Sequence, residues 1–168
     1  MSRVGRRGAG DGMLQVRVER DDLGDLVKAI NAHGSDKAVK KELRRGLREA
    51  VKPLVPKARS AVLAQGSKGK GTGLRRDMAR AVEVKVDLGG RNPGVRLRLN
   101  GAKLNGRPKG LVAMYEGTIP WRHPVFGSGT WVAQPHRGFL TEVGRAGESD
   151  VARDITKAMD DIGRKIDG

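Results

Sequence analysis

A chain of 168 residues is sized for one domain, and its 34 basic against 19 acidic residues give a net charge of +15. With no cysteine it can form neither a disulfide nor a thiolate metal site. No apolar run approaches the ~20 residues that span a bilayer, so the expectation is a soluble intracellular product without a membrane partner. The charge is uneven. Residues 37–80 carry 14 Lys or Arg against three acids, whereas residues 141–168 carry five bases and seven acids. Such asymmetry points to a polyanion, or to a charge-complementary protein, facing one end of the molecule.

In chain order, residues 1–12 mix glycine and arginine without periodicity and read as a disordered basic arm, leaving 13–168 as one domain. "MLQVRVER" (13–20) alternates as a half-buried strand does. "DDLGDLVKAINAHG" reads as a short helix that starts at Asp21 or Asp22 and stops at Gly34. From Ser35-Asp36 to residue 64, Val39, Leu43, Leu47, Val51, Leu54, Ala58 and Val62 recur every three or four positions on one helical face. Lys41, Arg45, Arg48, Lys52 and Arg59 fall on the other. Pro53 and Pro56 predict a kink, or two helices meeting, near 52–56.

"GSKGKGTG" (66–73) reads as a basic loop. It fails as a phosphate-binding loop, because Gly71 is followed by Thr72 and Gly73 rather than by Lys and Ser or Thr. "LRRDMARAVEVKV" predicts a helix fading into a strand around 82–88, and "VRLRLN" (95–100) a second strand after the turn "GGRNPG". Residues 101–110 read as a loop and 111–116 as a short helix or strand. Two extended segments joined by "GSGT" follow, then a polar helix over about 141–166. Strands and helices without regular alternation predict an α+β fold, a small mixed or antiparallel sheet packed against a long, proline-kinked helix and a C-terminal helix.

No catalytic set emerges. Of His33, His123 and His136, the last two lie 13 residues apart with no Asp or Glu at ligand-like spacing, and nothing resembles a nucleophile elbow or a carboxylate pair. The expectation is a protein that is not an enzyme and takes no metal or cofactor. The basic stripe suits phosphates or an acidic partner, so a small basic protein that binds nucleic acid without sequence preference is the alternative function. The five aromatic residues, Tyr115, Trp121, Phe126, Trp131 and Phe139, all lie between 115 and 139. They admit two readings, a small core with Trp121 and Trp131 packed across a hairpin, or an anchored interface with Arg122 and Arg137 beside the rings.

"LRRGLREAVKPLVPKARSAV", "GLRRDMARAVEVKV" and "YEGTIPWRHPVFGSGTWVAQPHRGFL", in that order, resemble the neck or tail-completion proteins of long-tailed double-stranded DNA phages. The resemblance runs from about 37 to 165 and is most specific in "WRHPVFG…WV.QP" (121–135). It implies a virion structural protein, a sixfold or twelvefold homo-oligomeric ring at the head-to-tail junction in a neck, tail-completion or tail-terminator role. Its partners would be other connector proteins and the tail tube. Tyr115, Trp121, Arg122, His123, Phe126, Trp131 and Arg137 would then form the subunit or neighbour-ring interface. Lys41, Arg45, Arg48, Lys52 and Arg59 would face a charged partner or the DNA channel.

Overall fold

The computed structural model describes residues 15–18, 21–32, 37–65, 73–89, 93–104, 121–124, 129–134 and 138–167. The expected arm (1–12), most of the basic loop (66–72) and the segment 111–116 lie outside the described residues. The fold is α+β. A three-stranded antiparallel sheet has the order β1-β3-β2, with β1 at Gln15–Val18, β2 at Val82–Asp87 and β3 at Gly94–Leu99. Val82, Val84 and Val86 pair with Leu99, Leu97 and Val95. The period of two therefore assembles a continuous aliphatic face, on which Val82, Val95, Leu97 and Leu99 are at most 1% exposed.

Helices α2 (Lys37–Val51) and α3 (Leu54–Leu63) cover this face. Their periodic Leu43, Leu47, Ala50, Val51, Leu54, Ala58 and Val62 join one core with the strand residues. The break between them belongs to Pro53. The last α2 hydrogen bond runs from Lys52 N to Arg48 O (3.0 Å), and Pro53 has no N–H with which to extend the ladder. Pro56 breaks nothing. It sits in the first turn of α3, where a backbone N–H has no acceptor within the helix in any case.

Helix α4 (Leu74–Ala81) starts at Gly73, whose φ of 76° suits a residue without Cβ. It runs into β2 with no intervening loop: Ala81 is helical, and Val82 is extended at φ −68°, ψ 123°. Asn100 N donates to Ala81 O (2.9 Å) and so ties the end of β3 to this junction. A short 3-10 turn follows at Gly101–Lys103, its first free N–H (Ala102) accepted by the Asn100 side chain.

The polar helix expected over 141–166 is two helices, α5 (Phe139–Ala146) and α6 (Glu148–Asp167). They part at Gly147, where any side chain would overlap Leu54 Cδ2. Helix α6 lies antiparallel along α2, with Lys165 beside Glu42 (2.5 Å) and Ala158 against Gly46. A Cβ on Gly46 would stand 2.8 Å from the Ala158 Cβ, so the glycine sets how closely the two helices approach. Helix α1 (Asp21–Ala32) closes the core with Leu23, Val27 and Ile30.

Candidate functional site

The hairpin and the basic stripe belong to different elements of the fold. Strands β4 (Trp121–Pro124) and β5 (Trp131–Gln134) form a separate two-stranded antiparallel sheet whose main contacts are with each other. Its register pairs Trp121 with Gln134, Arg122 with Ala133, His123 with Val132 and Pro124 with Trp131. The two tryptophans are thus not cross-strand partners.

Trp131 is 57% exposed and Val132 is 43% exposed. Consecutive strand residues point to opposite faces, so the hairpin offers apolar surface to solvent on both sides. Arg122 is also exposed, and by its pairing with Ala133 it shares the Trp131 face. Tyr115, Phe126 and Arg137, with the side chains of Trp121 and His123, lie outside the described residues. The remaining aromatic residue has a different role: Phe139 opens α5 and is 2% exposed in the main core. Of the aromatic side chains described, Phe139 is therefore a core anchor and Trp131 faces outward.

On α2, Lys41, Arg45 and Arg48 are exposed, opposite the core residues Leu43, Leu47 and Ala50, and Lys52, one residue past its end, is exposed too. Lys37 and Arg44, which the sequence reading passed over, lie in the same arc and are exposed too. The signal was available, because all six positions fall within about 100° of the helical wheel. Two of the six have acids nearby: Lys52 pairs with Glu49 (3.0 Å) and Arg45 lies 3.9 Å from Glu42. Glu42 is otherwise occupied by Lys165.

Arg59 does not belong with this group. It sits on α3, beyond the Pro53 break, and its guanidinium donates to the backbone carbonyl of Val82 (3.4 Å), fastening α3 to β2.

The acidic C-terminal end is less available to a partner than its composition suggests. On α6, Arg153 holds Asp150 (3.2 Å) and Asp154 (3.5 Å), while Arg164 holds Asp161 (2.7 Å). A wide-open groove of about 670 Å³ runs past Leu26, Met159, Asp160, Gly163 and Arg164. The Arg164 guanidinium is already directed to Asp161 and to the Asp160 carbonyl.

One polar cluster escaped the sequence reading. On the sheet face away from the core, Glu83 receives Arg98 (Nε at 2.8 Å), Lys103 (2.6 Å) and Asn100 Nδ2 (3.1 Å). The pairing of Glu83 with Arg98 is set by the β2–β3 register, which no single segment reveals. Burial pushes the Glu83 carboxyl up, but the hydrogen bonds and charges of Lys103 and Arg98 outweigh it and hold the group below the usual glutamate range. Arg96 lies in the same sheet opposite Lys85, and its Nε is buried without a hydrogen-bond partner among the described residues.

Among the described residues no group of three or more His, Asp or Glu could hold a metal ion, and no helix is long and apolar enough to cross a membrane. Compared with known protein families, curated proteins and solved structures, the chain matches none.

Proposed function

We propose that this chain is a structural component of the phage head-to-tail junction, a ring-forming neck, tail-completion or tail-terminator protein that joins the portal side to the tail tube. The observation that carries the reading is the β4–β5 hairpin, with Trp131 and Val132 exposed on its two faces. An isolated two-stranded hairpin is marginal in water, and a tryptophan left in solvent forgoes the burial that makes it a preferred interface anchor. A hairpin apolar on both sides suits insertion between neighbours. A closed ring calls for that arrangement, since each subunit presents one patch to a different patch on the next. The ordered likeness of three sequence segments to phage neck proteins supports the same role.

Assembly with tail or portal components tests it. Sedimentation of the mixture is expected to yield a multi-subunit ring, and Trp131→Ala is expected to lower the yield more than any single substitution in residues 1–12. A chain that stays monomeric beside those components, or equal yields from the two kinds of variant, would overturn the reading.

A further inference from the structure

We infer that the exposed face of α2, with Lys52 just past its end, is a seat for the phosphate backbone of duplex DNA, formed by Lys37, Lys41, Arg44, Arg45, Arg48 and Lys52. The inference does not depend on ring formation. It starts from a pattern that is poor for the helix itself. Lys37–Lys41, Lys41–Arg45, Arg44–Arg48 and Arg48–Lys52 are like-charge pairs four residues apart, each destabilising. The first turn of α2 contains no acid, so its cations face the positive end of the helix dipole. Among the described residues no acid lies within ion-pair distance of Lys37, Lys41, Arg44 or Arg48. Self-repulsion of this kind is relieved when a polyanion lies along the stripe.

The composition of the face selects the polyanion. A protein interface is anchored by buried apolar or aromatic groups, and its centre is depleted of charge. The α2 arc has none of the former and six cations. The chain's own acidic helix is a poor substitute, because Asp150, Asp154 and Asp161 are held by Arg153 and Arg164. A membrane surface would need an apolar face beside the cations, and that side of α2 is buried in the core. Single strands are gripped by stacking on aromatic rings, which α2 lacks. A regular duplex backbone remains. Lys41, Arg45, Arg48 and Lys52 rise along the helix by steps of roughly 4.5 to 6 Å, short enough to follow successive phosphates. Contacts of this kind carry no sequence information and allow the duplex to slide.

The test is fluorescence anisotropy of the full chain with a labelled, random-sequence short duplex over a salt series. Four to five phosphate contacts predict affinity falling roughly 10²- to 10³-fold between about 50 and 200 mM salt. The triple variant Lys41→Gln, Arg44→Gln, Arg48→Gln should flatten the log–log slope by about 2.7. The control Arg145→Gln, Arg153→Gln, Arg164→Gln removes equal charge from α5 and α6 and should leave the slope unchanged. Equal flattening by both triples would show diffuse attraction and overturn the inference, as would salt-independent binding of the unaltered chain. If the stripe variant bound DNA normally but failed to join tail or portal components, the face would be assigned to a protein instead. Ring assembly of the stripe variant, followed by sedimentation, keeps this outcome separate from any failure of the head-to-tail role.

Discussion

The sheet with its helices and the β4–β5 hairpin are built on opposite terms. In the first, aliphatic side chains are sealed on every side, and helices α2 and α6 approach so closely that one methyl group separates a fit from an overlap. In the second, four residues pair with four, and the largest side chain visible there is more than half exposed. The difference teaches where to look for each property. Stability resides in the aliphatic unit, and the exposed apolar and basic side chains lie in the hairpin and on the outer side of α2.

Substitutions can break that division or sharpen it. The largest loss of stability is expected for Leu97→Ala, at the centre of β3 and 1% exposed, where an emptied leucine site costs about 2–5 kcal/mol. Chemical denaturation reads it directly, and a change under 1 kcal/mol would deny the sheet its place in the core. Gly46→Ala comes next, at about 1–3 kcal/mol, since the new methyl would stand 2.8 Å from Ala158 Cβ. Adding Ala158→Gly should recover most of that loss, because it removes the opposing methyl. No recovery in the double variant would mean that the two helices do not cross there.

Glu83→Gln is expected to cost roughly 1 kcal/mol at neutral pH by leaving Arg98 and Lys103 without their carboxylate. The pH dependence has a definite sign. The folded carboxyl titrates below its unfolded value, so its stabilisation is complete above about pH 4.3 and is lost as pH falls through the folded pKa. Denaturation midpoints of the two proteins should therefore converge in acid, and a constant gap down to low pH would contradict the assignment. The smallest stability effect is expected for Trp131→Ala, within about 0.5 kcal/mol in the isolated chain, although the same change is expected to impair assembly most. A large drop in melting temperature would place the ring in the core after all.

Much of this fold could be read from local pattern. The alternation of Val95, Leu97 and Leu99, the three-and-four spacing from Leu43 to Val62, and the passage from helix to strand near residue 82 are encoded within short windows, and the structure contains each of them. What escaped depends on residues distant in sequence. Gly147 stands between α5 and α6 where Leu54 occupies the space a side chain would need. Arg59 seemed to extend the basic stripe because the helical wheel was carried through Pro53. Arg59 is exposed on α3, and its guanidinium turns to the Val82 carbonyl. The candidate surfaces were legible in part. Residue types marked Trp131 and the α2 cations. The exposure of Val132, the register that separates the tryptophans, and the local neutralisation of the acids on α6 follow from tertiary placement.

The direct passage from α4 into β2 constrains how this chain can vary. With Ala81 helical, Val82 extended and Asn100 bonded across the join, there is no slack to absorb a change in length. One inserted residue would turn Val82, Val84 and Val86 outward and carry Glu83 into the oily side, undoing every pairing with β3 at once. The junction is thereby a fixed origin from which both the helix and the sheet are measured.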